Sequence, residues 1–350
     1  MAKKRDEEKL NYQAELRSLK ARGPESLYLL WGPEDYLREQ YFAQLKKLCI
    51  PEGEDSFSYK RLNGPDLDPK ALAQAVDAPP FLTERSFVEI RDADLNRLSS
   101  PEDCLKALSD IPETCTVVFV QGAQFEPDGR LKFIKSLRGM ARELKFTQQS
   151  QGMLTEWIAR RFAAAGKRIE LDAAQRLIFV SGDLMSRLIP EIEKIAAYTS
   201  GDTVTQADVD AVADHIPEAV VFEMTELIAQ KKVNSALAVL SELLADRNNE
   251  PIMMLAVLGG QMRKLYAARL ALEKNLGVKY VMEVSAIKYD YIANRLLSAA
   301  RGFTLPQLRE AVALCAETDY RMKSSGGDAR ELLKEAVLRI AAGDGHAQNS

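Results

Sequence analysis

Strand-like runs alternate with helix-like segments between residues 25 and 149, and this alternation most constrains the fold. The strand-like runs occur at 27–31, from 57 onward, at 86–90, at 116–120 and at 144–147. Between them, apolar residues recur at helical spacing, as in Leu37, Tyr41 and Leu45. Strands that alternate with helices pair in parallel, so the pattern predicts a doubly wound parallel α/β sheet of five strands.

Strand patterns stop near residue 150, and the rest of the chain has helical patterns almost throughout. A long amphipathic helix is predicted from Pro251 to Leu276, and Thr304 with Gln307 forms a capping-box start for a later helix. The predicted divisions are a polar N-terminal extension (1–24), the α/β domain (25–149), a small helical domain (150–216), a larger helical domain (217–342) and a disordered tail (343–350).

Charge and hydropathy exclude several classes of protein. The formal net charge is −4, so the chain is no nucleic-acid polycation and any DNA contact must come from a local patch. The longest nearly uninterrupted apolar run, 251–260, is far too short to span a bilayer. The basic N-terminus is not followed by an apolar segment, which argues against a secretory signal. We therefore expect a cytoplasmic protein that does not bind membranes.

Histidine and cysteine usage argues against catalysis and against metal binding. There are two histidines, and His346 lies in the predicted tail, which leaves His215 alone in the folded part. The four cysteines are scattered, without a CxxC pair, at positions 49, 104, 115 and 315. Neither a zinc site nor a Ser-His-Asp arrangement is expected, and the cysteines are interpreted as small buried apolar residues. We predict no catalytic residue, no metal and no cofactor.

The turn after the first predicted strand does not have the residues of a phosphate-binding loop. A P-loop requires G-x-x-x-x-G-K-[ST], because backbone N–H groups and one lysine surround the phosphate oxygens. The sequence at this point is Gly32-Pro33-Glu34-Asp35, with one glycine, a proline that lacks an N–H, and two acids. The apolar run at 116–120 is followed by Gln121 instead of a magnesium-binding aspartate. These features argue against nucleotide binding.

Four stretches, in this order and spacing, resemble the delta subunit family of the bacterial DNA polymerase III clamp loader. They are Tyr28–Leu37 (YLLWGPEDYL), Ala78–Val88 (APPFLTERSFV), Ser181–Leu184 with Glu191–Tyr198 (EIEKIAAY), and Tyr291–Phe303 continuing to Glu317–Ser324. The resemblance extends over about residues 25–342. No single stretch is diagnostic, and the assignment rests on all of them together.

The resemblance implies both an architecture and a role. It implies an AAA+-like first domain with a degenerate nucleotide site, a small helical lid and a helical collar. Delta subunits bind the sliding clamp (the beta ring) and open it for loading onto primer–template DNA. Their partners are the ATPase subunits and delta prime, contacted through the collar. The chain would then be a non-catalytic subunit of a DNA-directed DNA polymerase holoenzyme.

The resemblance also assigns the clamp-binding residues. In the family, two exposed apolar side chains after the second helix enter a hydrophobic pocket on the clamp, and Phe81 and Leu82 match them. Pro80 precedes the pair and Arg85 follows it, whereas Ser86 stands where a second arginine is common. A Phe-Leu pair just before a strand is also typical of packing on the chain's own sheet. Exposure of the two side chains distinguishes these interpretations.

A basic cluster offers a second candidate surface. Lys135, Arg138 and Arg142 are spaced at i, i+3 and i+7, so on one helix they would share a face toward DNA phosphates. A solvated helix face explains the same spacing. For the whole chain, the alternative to a clamp-loader subunit is a helical scaffold or adaptor with a vestigial AAA+ domain, which would bind no sliding clamp.

Overall fold

The computed structural model describes residues 10–50, 55–324 and 327–343. These residues form two compact units. The first consists of the described residues up to 149 together with 184–186, and the second of the described residues from 150 to 183 and from 187 onward. Elements are numbered along the chain.

The first unit is built from five strands and the helices between them. Its strands are β1 (Leu27–Trp31), β2 (Tyr59–Asn63), β3 (Ser86–Arg91), β4 (Cys115–Val120) and β5 (Arg142–Lys145). Its helices are α1 (Tyr12–Arg22), α2 (Asp35–Cys49), α3 (Asp55–Ser58), α4 (Pro69–Asp77), α5 (Pro101–Leu108) and α6 (Lys132–Met140).

All five strands form one parallel sheet in the order β2-β3-β4-β1-β5. Every residue of β1 and β4 is buried, as expected for central strands covered by helices on both faces. Helix α4 begins at a side-chain cap, since the Asp68 carboxylate accepts from the Lys70 N–H. The predicted doubly wound parallel sheet is confirmed.

Two local predictions were wrong. Phe57 lies in the short helix α3 and not in a strand, because β2 begins only at Tyr59. The last strand, β5, begins at Arg142, two residues before the predicted run, since α6 already ends at Met140. In both cases the apolar side chains alone did not show where strand pairing starts.

Part of the predicted N-terminal extension is a helix packed on the first unit. Asn11 caps α1 by accepting from the Ala14 N–H, and Leu19 is buried. Glu15 accepts three hydrogen bonds from the Arg142 guanidinium, the shortest measuring 2.8 Å. Residues 1–9 of the predicted extension lie outside the described residues.

The second unit is helical apart from two short strands. Its first helices are α7 (Gln151–Ala164), α8 (Leu171–Ser181), α9 (Met185–Tyr198, whose first two residues belong to the first unit) and α10 (Gln206–Val212). The later helices are α11 (Pro217–Ala229), α12 (Val233–Ala245), α13 (Pro251–Lys274), α14 (Gly277–Val284), α15 (Asp290–Ala300), α16 (Leu305–Ser324) and α17 (Ala329–Ala342).

The long helix α13 is central to the later part of this unit. It packs against α11, α14, α15, α16 and α17. Among its methionines, Met254 and Met262 are core residues, whereas Met253 is exposed. The predicted capping box is confirmed, because the Gln307 amide oxygen accepts from the Thr304 N–H and the Thr304 hydroxyl accepts from the Gln307 N–H.

The sequence did not predict that residues 168–169 and 203–204 would pair as strands. Arg168–Ile169 (β6) and Thr203–Val204 (β7) form a two-stranded parallel sheet. Each strand has only two residues, too few to show an alternating pattern in the sequence.

The predicted division at residue 216 does not separate compact units. The Phe179 ring of α8 meets the Phe222 ring of α11 edge-on at 5.2 Å, and Arg176 binds both Asp210 and Glu223 at 2.6 Å. The separate lid and collar therefore stay a prediction. Of the predicted tail, Gly343 ends α17, and residues 344–350 lie outside the described residues.

Within residues 10–50, 55–324 and 327–343, no helix is both long and apolar enough to cross a bilayer.

Candidate protein-binding site

The loop between α4 and β3 carries the two apolar residues that the sequence singled out. We call residues 78–85 the anchor loop. Phe81 is 55% exposed and Leu82 is 76% exposed. This exposure excludes packing of the pair in the core of the sheet. Pro80, directly before them, fixes one backbone angle of the loop.

The anchor loop is held at its base by hydrogen bonds. Ser58 is buried, and its hydroxyl both accepts from the Phe81 N–H and donates to the Phe81 carbonyl, each at 2.8 Å. The Thr83 hydroxyl has two acceptors within reach, the Ser58 hydroxyl at 2.7 Å and the Arg85 carbonyl at 2.8 Å. The backbone of Phe81 is thus fixed while its ring remains in solvent.

Leu82 has a backbone conformation that is unfavourable for its type. Its φ of 60° lies in the left-handed region, where a leucine is uncommon and glycine or asparagine is favoured. The side chain that this backbone carries is largely in solvent. Neither its backbone nor its burial contributes to stability, and a strained, exposed apolar residue of this kind is typical of a binding site.

Arg85 lies at the foot of the loop and binds the chain's own sheet. Its Nε donates to the Thr116 hydroxyl at 3.2 Å, and an Nη approaches the Cys115 carbonyl at 3.5 Å. These contacts hold the foot of the loop on β4, and the role of half-buried Arg85 at the partner surface stays a prediction.

The turn between β1 and α2 is closed by its own groups. It has three residues, Gly32–Glu34. The Glu34 N–H donates to the Phe146 carbonyl at 3.1 Å, the Asp35 N–H donates to the Pro33 carbonyl at 3.1 Å, and proline has no N–H. Phosphate binding needs several free N–H groups that point to one place, and this short turn does not provide them.

Side chains also fill the space around this turn. Glu34 is fully buried, and the buried Arg38 guanidinium donates to the Gly32 carbonyl at 2.7 Å. Burial lowers the pKa of Arg38, and the nearby carboxylates of Glu39, Asp35 and Glu34 oppose that shift. The position that a P-loop occupies in nucleotide-binding proteins is therefore, in this chain, a turn closed by the chain's own groups.

The three basic residues predicted to share a helix face do not share one. Lys135 and Arg138 lie on α6, whereas Arg142 lies on β5 beyond the end of the helix. Arg138 binds Glu143 at 2.7 Å, and hydrogen bonding to Glu15 raises the pKa of Arg142 above its usual value. Of the three, Lys135 is the one that is exposed and forms no ion pair with a carboxylate among the described residues.

The cysteines are buried, as the sequence predicts. All four are free thiols. His215 lies in a loop with Glu223 at 3.7 Å from its Nδ1. Among the described residues there is no group of three or more histidine, cysteine or acidic side chains that could hold a metal ion.

Sequence reasoning missed Phe57. It is 67% exposed, and its ring meets that of Phe81 edge-on at 5.3 Å. Nothing in the local sequence identifies it, because its neighbour lies 24 residues further along the chain.

The first unit is a doubly wound parallel α/β domain whose β1–α2 turn is closed by its own groups and whose opposite edge carries an exposed apolar loop. Residues 28–147 match the family model described as "DNA polymerase III, delta subunit". Residues 218–340 match that of "DNA polymerase III delta subunit, C-terminal domain". The chain belongs to the DNA polymerase III delta subunit family.

Relatives and a solved structure agree with this assignment. The chain is 24% identical to the DNA polymerase III subunit delta of Bacillus subtilis, over 93% of this chain and 95% of the relative. It is 22% identical to a probable DNA polymerase III subunit delta of Aquifex aeolicus, over 89% and 90%. The structure of the Bacillus subtilis DNA clamp loader delta protein superposes with a TM-score of 0.55 at 21% identity, covering 95% of this chain and 99% of that one. That structural likeness supports the fold.

Proposed function

We propose that this chain binds the sliding clamp and opens its ring, so that the clamp loader can place the ring on primed DNA. ATPase subunits and delta prime would contact the helical domain at 217–342. DNA replication in bacteria takes place in the cytoplasm, so the chain would act there. The chain itself would contribute binding energy and no chemistry.

The observation that carries this proposal is the exposure of Phe81 and Leu82 on a loop whose backbone is held by hydrogen bonds to Ser58. Full burial of such a side chain stabilises a complex by about 1.5–3 kcal/mol. The two together would therefore account for a change of roughly two to four orders of magnitude in affinity. Since the loop is already ordered by Ser58 and Pro80, little conformational entropy is lost on binding.

The closed turn at residues 32–34 supports a subunit that does not bind ATP. The Glu34 N–H is bound to the Phe146 carbonyl, Pro33 has no N–H, and buried Glu34 would repel phosphate. Equilibrium dialysis of the full chain against Mg-ATP tests this point, and we expect no retained nucleotide at micromolar concentrations. Stoichiometric retention would favour an active ATPase instead.

The main experiment is surface plasmon resonance of the full chain on the immobilised cognate sliding clamp. The parent should bind, and the Phe81→Ala/Leu82→Ala variant should bind at least about 30-fold more weakly, the effect of losing one hot spot of about 2 kcal/mol or more.

The matched control is Leu48→Ala/Met140→Ala, which removes two other exposed apolar side chains of the first unit. It should bind as the parent does. If the parent fails to bind while a known clamp partner binds, the scaffold alternative is favoured. If the Phe81/Leu82 variant binds normally, the clamp site lies elsewhere on the chain.

Primer–template DNA is the third proposed partner, reached within the assembled loader. Of the three predicted contact residues, exposed Lys135 has the best access. In the assembled complex, Lys135→Ala should weaken DNA binding equally for different sequences and reduce the salt dependence by about one phosphate contact. Fluorescence anisotropy at two salt concentrations measures both effects, and Lys106→Ala on α5 is the control.

A further inference from the structure

The first unit gathers three of its exposed large apolar side chains in one place. Among its described residues, the exposed large apolar side chains are those of Leu48, Phe57, Phe81, Leu82 and Met140. Phe57 and Phe81 are in ring contact, and Leu82 follows Phe81 directly. Surface apolar residues scattered singly need no explanation, whereas a contiguous cluster marks an interaction site.

Strand pairing brings Phe57 to the anchor loop. Phe57 and Ser58 directly precede β2, and the anchor loop directly precedes β3. These strands are parallel neighbours, with Tyr59 opposite Phe87. Segments that enter two adjacent parallel strands lie at the same edge of the sheet, so the pair and the loop meet there.

Ser58 connects the two segments through one hydroxyl group. It binds both the N–H and the carbonyl of Phe81, and Thr83 is within hydrogen-bond distance of it. Since Ser58 is only 2% exposed, water competes little for these bonds. One side chain therefore fixes both Phe81 and the start of β2, next to Phe57.

We propose that Phe57 is a third contact of the clamp-binding surface and that Ser58 is its positioning residue. This inference rests on the proposed function. Phe57 would lie against the clamp beside the pocket that receives Phe81 and Leu82, and its ring would hold the Phe81 ring in the orientation for entry. The anchor would then be a cluster built from two segments of the chain and not a single loop.

The first test is Phe57→Ala in the full chain, measured by surface plasmon resonance on the cognate clamp. We expect binding about 5- to 10-fold weaker, mostly through faster dissociation, because an aromatic contact beside a hot spot is lost. Phe57→Leu should restore part of the lost affinity. Leu48→Ala, on α2 in the same unit, should bind as the parent does, and thermal melting should show that all three variants are folded.

The second test concerns Ser58 and uses a double-mutant cycle. Ser58→Ala should weaken binding in the parent, yet have almost no further effect in a Phe81→Ala background, because the serine acts through Phe81. A purely structural role would reduce binding by the same factor in both backgrounds, and that result would overturn the positioning role.

These outcomes separate the inference from the proposed function. If the parent binds, the Phe81/Leu82 variant loses binding and Phe57→Ala binds as the parent does, the third contact is refuted while the function stands. If the parent does not bind the clamp, both are overturned. Weakened binding by Phe57→Ala with partial rescue by leucine supports the inference.

Discussion

At the scale of single residues, stability and function separate most clearly at Leu82. Its side chain is in solvent and its backbone is left-handed. Leu82→Asn should leave the free energy of unfolding unchanged or raise it by up to about 1 kcal/mol, since asparagine tolerates this backbone. The same substitution should weaken clamp binding at least about 10-fold. Urea denaturation and surface plasmon resonance on one preparation measure both quantities, and a large loss of stability would contradict this account.

Gly32 is a position where the backbone demands glycine. Its φ is 118°, and a Cβ there would lie 2.3 Å from the Phe146 carbonyl oxygen. Gly32→Ala should lower the free energy of unfolding by about 3 kcal/mol or more, because strain and a backbone clash act together.

Gly139→Ala is the matched control for Gly32→Ala. Gly139 lies in α6, and a Cβ there would meet nothing within 4 Å. It should raise stability by roughly 0.5–1 kcal/mol, the helix-propensity gain. Urea unfolding curves of both variants measure these changes. Equal stability of the two variants would refute the steric requirement for glycine at position 32.

The buried thiols give a pH prediction. Burial raises the pKa of both Cys104 and Cys315 to about 11 from an ordinary 9.0. Between pH 9 and 11 the unfolded chain has lost these protons and the folded chain retains them. The stabilisation they contribute is therefore complete below pH 9 and is lost as the pH rises toward 11.

Thiol reactivity checks this prediction directly. At pH 8, raising the thiol pKa from 9.0 to about 11 lowers the fraction of thiolate about 100-fold. Cys104 and Cys315 should therefore react with a disulfide reagent at least about 100-fold more slowly in the folded protein than in the urea-unfolded chain. Lack of access to the reagent slows them further. A fast-reacting thiol in the folded protein would contradict the burial described here.

At the scale of elements, α1 is an addition to the sheet domain and not part of its core. It is held by the burial of Leu19 and by the ion pair of Glu15 with Arg142. Leu19→Ala should cost about 2–3 kcal/mol, and the loss should be local because α1 precedes the sheet.

Hydrogen exchange measured by mass spectrometry tests this localisation. In Leu19→Ala, peptides covering residues 12–22 should exchange faster, while those covering β1 and β4 keep the parent's protection. An equal loss of protection in the central strands would show that α1 is integral to the fold. Glu15→Gln should have a smaller effect, since a partly exposed ion pair contributes little.

At the scale of the whole molecule, the proposed roles lie in separate units. The anchor loop lies in the first unit, and the helices proposed to contact other subunits lie in the second. The Phe81→Ala/Leu82→Ala variant should therefore assemble with the remaining clamp-loader subunits as the parent does, and the assembly should fail to load clamps onto primed DNA. Size-exclusion chromatography and a loading assay measure the two steps, and loss of assembly would place the apolar pair inside the complex instead.

The sequence by itself determined the sheet, the helical remainder and the degenerate turn. These depend on local periodicity, capping residues and residue types at fixed spacing, such as Gly32 followed by Pro33, or Thr304 three residues before Gln307. The apolar pair at Phe81 and Leu82 was also found from the sequence, through its resemblance to a family.

Only the tertiary structure decided which of these residues act together. Phe57 reaches Phe81 because β2 and β3 pair, and Arg142 leaves the α6 face because the helix ends two residues earlier. Arg85 turns inward because β4 offers a hydroxyl and a carbonyl at the foot of the loop. Such contacts join residues that are distant in sequence, and side-chain exposure depends on what packs over a position. Local patterns carry neither kind of information.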